Sequence, residues 1–229
     1  NGRRDLEERQ LDHLSGYRGS RPVRVGNGAV DQLQLDVYGE VLAAADAWRR
    51  EHAMSEGVWR TLRPLVDWVS GHWHLPDSSI WEVRGETRHY VFSKVMNWVA
   101  LDRGIRIATD LSLPADLPAW TAARDAIRAE ILERGWNPTR GAFIQAYDHP
   151  DTLDAAALTI PMMGFLPWDD PRMRSTVRAI ATELTSPDGN LVYRYRGPDG
   201  LEGEEGAFSI CTFWPSFVST TCSVGITIW

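Results

Sequence analysis

The stretch PDSSIWEVRGETRHYVFSKVMNWVALDRG, residues 76–104, joins a long polar loop to an apolar helix. Apolar residues between Val95 and Ile105 recur at steps of three and four, which predicts one face of a helix from about 92 to 109. Loops on a rigid scaffold are where binding and catalytic groups are commonly placed. This loop and its helix are therefore the first place to look for both the fold and a site.

The same periodicity recurs along the chain and predicts six further helices. They are expected near residues 29–53, 55–72, 118–135, 151–163, 171–184 and from 207 onward. Only LVYRY, residues 191–195, has the pattern of a strand. The sequence therefore predicts an all-α chain.

Long connections rich in Gly, Pro and Trp alternate with short ones. They span residues 14–28, 74–90, 136–150, 164–170 and 186–206. Long loops that alternate on helical hairpins would lie together at one end of the helices, and we expect the site at that end.

Composition limits the partners. The chain has 229 residues, of which 43% are hydrophobic and 24% charged, so it can build a globular core. A net charge of -7 disfavours nucleic acid, which needs a basic face, and suits a neutral substrate. No apolar run approaches the roughly 18 residues of a membrane-spanning helix, so no membrane partner is expected.

Cysteine, histidine and the N-terminus add three expectations. Cys211 and Cys222 cannot form a disulfide framework. His72 and His74 lack a third ligand at helical spacing, so no metal site is expected. The chain begins at Asn1, and its first ten residues lack a signal-peptide core; a cytoplasmic location is expected, with export left open.

Glu82 is the strongest candidate for chemistry because it lies between Trp81 and Arg84 just before a helix. A carboxyl group against an indole and partly out of water has a raised pKa, which suits a general acid. The alternative is an ordinary surface glutamate in a Trp-rich loop.

Two further groups of charged residues leave alternatives open. Glu204 and Glu205 precede the apolar start of a predicted helix. They either stabilise the positive end of the helix dipole, as acidic residues commonly do there, or contact a substrate or water. Arg18, Arg21 and Arg24 lie among glycines, and they either bind neutral hydroxyl groups or pair with the acidic loops.

The chain resembles glycoside hydrolase family 15, which includes glucoamylases, glucodextranases and actinobacterial trehalases. The resemblance covers about residues 11–214 and rests on four blocks in one order: GYRGSRPVRVGNGAVDQLQLDVYGEV, PDSSIWEVRGETRHYVFSKVMNWVALDRG, GAFIQAYDHPDTLDAAALTIPMMGFLPWDDPRM and LVYRYRGPDGLEGEEGAFSICTFW.

The resemblance implies an all-α fold, part of an (α/α)6 barrel that is incomplete at both ends. Residues 1–229 would then form one domain of a catalytic barrel, with exposed barrel edges through which the chain can self-associate. Residues 215–229 carry no charged side chain and are expected to be a non-native tail.

The resemblance also implies the chemistry, which is inverting hydrolysis of α-glucosidic bonds in trehalose or α-glucan oligosaccharides. No metal or organic cofactor is implied, and the partner is a small carbohydrate. The general acid of the family corresponds to Glu82. The expected substrate-binding residues are Tyr17, Arg18, Arg21, Trp81, Arg84, Arg194, Tyr195 and Glu205.

The general base is the departure from the family pattern. The resemblance places it after a further helix, yet no acidic residue follows Glu205, so the base is expected to be missing from this chain. Glu204 or Glu205 is the weaker substitute. A non-catalytic carbohydrate-binding or scaffold remnant of the same fold is the alternative function. An isoprenoid cyclase barrel is disfavoured, because DDxxD and DxDD motifs are missing.

Overall fold

The computed structural model describes residues 7–197 and 207–214. The chain divides into two compact units, residues 1–33 and 34–229. The expectation of a single domain over the whole chain stays a prediction. Residues 215–229, expected to form a non-native tail, lie outside the described residues.

The first unit contains a short antiparallel pair of strands. Strand β1 (Arg9–Gln10) pairs with β2 (Arg24–Val25), and a turn of 3-10 helix at Tyr17–Gly19 lies between them. Arg24 pairs with Glu8 at 3.2 Å, which ties the two strands together at one end.

The second unit is built from helices. Its described α-helices are α1 (Asp36–Trp48), α2 (Glu56–His72), α3 (Val91–Asp110), α4 (Leu117–Glu130) and α5 (Pro171–Glu183). A π-helical turn, Ile131–Gly135, extends α4, and a two-residue hairpin of β3 (Trp136–Asn137) and β4 (Ala142–Phe143) follows. The all-α prediction is confirmed. Among the described residues, no helix has both the length and the apolar character to cross a bilayer.

Helix α3 is the centre of the core. Residues 91–101 are all buried, and α1, α2 and α4 pack around this helix. Gly39 lets α1 approach α3 closely, because a Cβ atom there would lie 2.3 Å from the carbonyl oxygen of Met96. The start of α3 is therefore held rigidly at the point where the loop before it ends.

Three helices begin directly after capping residues. Ser55 accepts a hydrogen bond from the backbone N–H of Val58 at the start of α2. Asp116 caps α4 at 3.2 Å, and Asp170 caps α5 at 2.9 Å, each accepting from a first-turn N–H.

The predicted start of the first helix, near residue 29, is wrong: α1 begins at Asp36. Turns occupy the preceding residues, and the backbone N–H of Leu35 donates to the carboxylate of Asp77 at 3.0 Å. A distant side chain thus takes the bond that would otherwise belong to a longer helix.

The helix predicted over 151–163 is also wrong. Only a 3-10 turn forms, Ala155–Thr159, with Asp154 as its cap. Ile160 still has helical backbone, but Pro161 has no N–H to donate, so the regular hydrogen-bond ladder stops there and only turns follow.

The strand predicted over 191–195 is reduced to isolated bridges. They join Thr185 to Val192, Tyr193 to Ala207 and Asp154 to Tyr195. The helix expected from 207 onward is present over residues 209–214.

The acidic side chain of Asp46 links α1 to α3 and carries a testable consequence. It is 1% exposed and lies within 4 Å of four guanidinium groups, those of Arg49, Arg50, Arg103 and Arg106. Burial alone would raise the pKa of Asp46, but the hydrogen bonds from Arg49 and Arg50 outweigh it and the pKa is lowered.

We expect Asp46→Asn to lower the free energy of unfolding by about 1–3 kcal/mol, because the guanidinium groups of Arg49 and Arg103 each lose one of their two carboxylate partners. The pKa of Asp46 is lower in the folded state than in the unfolded state, so ionised Asp46 stabilises the fold at neutral pH. This stabilisation is lost as Asp46 becomes protonated below about pH 4. The variant lacks it from the start and should therefore lose less stability than wild type on acidification. Urea unfolding at pH 7 and pH 3 measures both effects.

The matched control is Asp125→Asn, since Asp125 is 61% exposed and pairs only with its neighbour Arg124 among the described ion pairs. It should change the free energy of unfolding by less than about 0.5 kcal/mol. Equal effects of the two variants would contradict the account of Asp46.

Candidate active site

The loop before α3 makes a tight turn at residues 78–83. The backbone N–H of Glu82 donates to the Ser79 carbonyl at 3.1 Å, and that of Val83 donates to the Ser78 carbonyl at 3.0 Å. Ser79 and Glu82 have left-handed backbone, with φ of 63° and 52°. Such conformations cost about 1–3 kcal/mol each in non-glycine residues, so surrounding contacts must hold the turn.

Trp81 supplies the main contact that holds this turn. Its indole Nε1–H donates to both carboxylate oxygens of Asp154, at 2.9 and 3.0 Å. The guanidinium of Arg194 lies 5.5 Å from the ring centroid, and the rings of Phe208 and Trp214 lie about 6 Å away. Trp81 is only 9% exposed, so its ring supports the loop and offers no open face.

Asp154 is buried among hydrogen-bond donors. Besides the indole, it accepts from the backbone N–H of Ala156 at 2.8 Å and from the side-chain amide of Gln145 at 3.4 Å. Burial raises the pKa of Asp154 to about 6, although these donors and the charge of Arg194 oppose the rise.

Glu82 follows this anchored indole and points outward. Its side chain is exposed, and Oε1 accepts a hydrogen bond from the amide of Gln34 at 3.3 Å. The expectation that Glu82 lies partly out of water is therefore not met among the described residues. The turn presents the carboxyl group in the open, where a substrate can reach it.

A pair of buried carboxyl groups lies behind Glu82. Asp77 accepts from Leu35 N–H at 3.0 Å and from the Ser93 hydroxyl at 2.7 Å, which joins the site loop to α1 and α3. Burial raises the pKa of Asp77. Burial first, and the charges of Asp77, Glu40 and Glu82 next, raise the pKa of Asp36 to about 7.

Three of the predicted long loops meet at this site. The backbone N–H of Val91 donates to the Gln145 carbonyl, that of Tyr147 to the His89 carbonyl, and that of Ala155 to the Arg194 carbonyl. The loops are 74–90, 136–150 and the described part of 186–206.

Loop 164–170 does not join this cluster among the described contacts of the second unit. Loop 164–170 begins against α3 and α4, where Arg128 donates to the Phe165 carbonyl at 2.6 Å. Loop 14–28 belongs to the first unit. The prediction that all long loops lie together is thus confirmed for the three that surround Trp81.

A pocket of about 110 Å³ opens beside the turn. Its lining residues are Val83, Gly85, Glu86, Arg88, Tyr90, Gln145, His149, Thr152, Tyr195 and Gly197. Tyr195 is buried in its wall, and the Arg194 guanidinium lies 5.6 Å from the Tyr195 ring. Arg84, in the same loop as Glu82, is exposed.

The first unit holds three predicted site residues, Tyr17, Arg18 and Arg21. Tyr17 is 79% exposed, and the Arg18 guanidinium lies 5.4 Å from its ring centroid. Arg21 helps to line a pocket of about 450 Å³ within that unit, together with Asp12 and Arg24. The last predicted site residue, Glu205, lies outside the described residues.

The structure thus brings Trp81, Glu82, Arg194 and Tyr195 together. Sequence reasoning missed Asp154, although an acidic residue inside the apolar run TLDAAALTI is a signal for a buried carboxylate. Within 7–197 and 207–214, no group of three His, Cys, Asp or Glu side chains is arranged to hold a metal ion.

Comparison with known sequences identifies relatives. The profile of glycosyl hydrolases family 15 matches residues 1–220. The chain is 48% identical to a trehalase of Mycobacterium tuberculosis, over 98% of this chain and 33% of that protein. It is 44% identical to a trehalase of Thermoplasma volcanium, over 92% of this chain and 33% of that protein. The chain therefore spans about a third of the length of these curated relatives.

Solved structures resemble the fold. Glucoamylase from Saccharomycopsis fibuligera matches with a TM-score of 0.66 at 13% identity, over 81% of this chain and 47% of that one. A glycosidase in complex with glucose matches with a TM-score of 0.63 at 21% identity, over 77% and 48% of the two chains. These likenesses confirm an all-α part of an (α/α)6 barrel of the glucoamylase type. With the profile match over nearly its whole length, the chain belongs to glycosyl hydrolases family 15.

Proposed function

We propose that the protein hydrolyses an α-glucosidic bond with inversion at the anomeric carbon, and that Glu82 is the general acid. The observation that carries this proposal is the turn at 78–83, which presents an exposed Glu82 carboxyl directly after an indole fixed by Asp154. Membership of the family supports it.

The substrate we propose is trehalose, with α-glucan oligosaccharides as the second choice. The relatives described above are named trehalases, and a neighbour of the same fold was solved with glucose. A neutral sugar also suits a chain whose net charge of -7 disfavours nucleic acid.

In the proposed reaction, the Glu82 proton passes to the glycosidic oxygen as the bond from that oxygen to the anomeric carbon breaks. Water adds to the opposite face of that carbon, and a second carboxylate takes its proton. Inversion requires the two carboxyl groups to lie roughly 6.5–9.5 Å apart. We assign the base to no residue of this chain.

The proposed binding residues supply donors for sugar hydroxyl groups. Arg194 lies over Trp81 beside the turn, and Arg84 is exposed in the same loop. Tyr17, Arg18, Arg21 and Glu205 stay proposed sugar-binding residues. Tyr195 forms the wall beneath Arg194, so we give Tyr195 and Trp81 supporting positions around the sugar.

Non-catalytic carbohydrate binding is the second candidate function. It would use the same exposed loop and pocket as a sugar-binding surface, without the proton transfer. Binding of trehalose without release of glucose would support it.

The proposed location of the protein is the cytoplasm.

We expect Glu82→Gln to lower kcat for trehalose by about 100- to 10,000-fold, because the amide cannot deliver a proton. Calorimetric binding of trehalose should survive, since the amide keeps the size and polarity of the side chain. Glucose release by a coupled assay, in the full-length protein, measures kcat.

The matched control for this experiment is Glu133→Gln, which removes an exposed carboxylate from the π-helical turn after α4. Its kcat should equal that of wild type. Turnover of Glu82→Gln near the wild-type rate would reject the role of Glu82, and wild-type binding without any hydrolysis would favour the second candidate.

We also expect self-association of this chain. Val37, Val41 and Trp48 are exposed along α1, and clustered apolar surface promotes association. Light scattering after size-exclusion chromatography should show species larger than 25.8 kDa that shift toward the monomer in Val41→Glu. A monomeric wild-type chain at all concentrations would contradict this expectation.

A further inference from the structure

We propose that Asp154 is a positioning residue of the reaction: its carboxylate holds the Trp81 indole and thereby orients Glu82 toward the glycosidic oxygen. This inference rests on the proposed function of Glu82. Asp154 lies 72 positions after Glu82 in the sequence and was assigned no role by motif or spacing.

The hydrogen-bond geometry supports a positioning role. The indole Nε1 lies 2.9 and 3.0 Å from the two oxygens of Asp154, so the N–H points between them. A donor shared by two oxygens fixes the indole in rotation as well as in distance. Since Trp81 immediately precedes Glu82, fixing its side chain limits the movement of the Glu82 backbone.

The strained backbone of Glu82 makes its position sensitive to the contacts that restrict its movement. Glu82 has φ of 52°, a conformation that a non-glycine residue keeps only when other contacts hold it. Besides the two backbone bonds from residues 82 and 83, the backbone N–H of Ser79 donates to the Asp77 carboxylate, and Gln34 donates to Glu82. The anchored indole is the side-chain contact nearest to Glu82 in the chain, so its loss should allow the turn to relax.

Capping alone does not explain the residue at this position. Asp154 caps the 3-10 turn 155–159 through one bond, from Ala156 N–H at 2.8 Å. A serine or an asparagine would cap as well. Burying a carboxylate is costly, and Asp154 has no ion pair within 4 Å among the described residues. Both oxygens accept from the indole, and the second also accepts from Gln145, so the carboxylate supplies an acceptor that a serine cap would lack.

Asp154 also connects the acid turn to the proposed sugar contacts. Residues 154–155 pair with residues 194–195: Asp154 and Tyr195 form a backbone bridge, and the Ala155 N–H donates to the Arg194 carbonyl at 2.8 Å. The Arg194 guanidinium in turn lies over the Trp81 ring. The segment that carries Asp154 thus joins the acid turn, through its carboxylate, to a proposed binding residue, through its backbone.

The test begins with Asp154→Asn, which keeps an oxygen for the cap at Ala156 but replaces the oxygen that accepts from both the indole and Gln145 with an N–H donor. In the full-length protein, we expect kcat for trehalose to fall about 100-fold with KM within about threefold of wild type, because misplacement of a catalytic group acts on the chemical step. The matched control is Asp116→Asn, a cap at the start of α4, which should leave both constants unchanged.

A double-mutant cycle with Trp81→Phe separates positioning from general stability. Phenylalanine keeps a ring but has no N–H, so Asp154→Asn should cause little further loss in that background. An equal loss of kcat in both backgrounds, or no loss in wild type, would overturn the inference. If Asp154→Asn does not fold, Asp154→Ser replaces it, because serine caps with a single oxygen.

A second readout does not depend on activity. The indole N–H resonance of Trp81, identified by its absence in Trp81→Phe, should move upfield in Asp154→Asn. In wild type it should move upfield on acidification with a midpoint near pH 6, as protonation weakens the acceptor. If the chemical shift of the Trp81 indole N–H changes neither in Asp154→Asn nor on acidification, the proposed hydrogen bond is wrong. Wild-type protein that releases no glucose while this resonance responds would count against the proposed function and leave the contact intact.

Discussion

The bond from the Trp81 indole to the Asp154 carboxylate is the interaction on which the site depends. It joins two loops that are 73 residues apart, and it is buried, so water does not compete for it. Around it lie the acid turn on one side and the Arg194–Tyr195 segment on the other. The other described contacts between these segments are backbone hydrogen bonds, the bond from Gln145 to Asp154 and the packing of Arg194 on the Trp81 ring.

A second set of buried polar groups fixes the ends of the same loop. Lys94 in α3 donates to the carbonyls of Trp73 and Leu75, at the point where the chain leaves α2. Burial lowers the pKa of Lys94 to about 8. Asp77, a few residues later, binds α1 and α3. The loop that carries Glu82 is thus attached at its start, middle and end to the central helix.

The helices could be predicted from the sequence because their signals are local. Ser55, Asp116 and Asp170 each cap a helix within a few residues of themselves, so the starts of α2, α4 and α5 follow from spacing. The start of α1 could not be predicted, since Asp77, 42 positions away, takes the N–H of Leu35. The short turn at 155–159 was missed because apolar periodicity outweighed Pro161.

The same division between local and distant signals applies to the site. The Trp81–Glu82 pair and the segment at 194–195 were identified because the four family blocks name them. The exposure of Glu82 was not foreseen, because adjacency to a tryptophan in sequence does not decide which way the indole turns. Asp154 attracts it inward, and the carboxyl of the next residue then points outward. Asp154 itself carries no motif, and only its position in an apolar run suggested burial.

The most direct test of the account is a crystal structure of the full-length protein with a sulfur-linked analogue of trehalose, which cannot be hydrolysed. The account predicts that a carboxyl oxygen of Glu82 lies about 3 Å from the bridging atom, with the Trp81 indole still bound to Asp154. A bound sugar whose bridging atom faces another carboxyl group, with Glu82 directed away from it, would contradict the central claim.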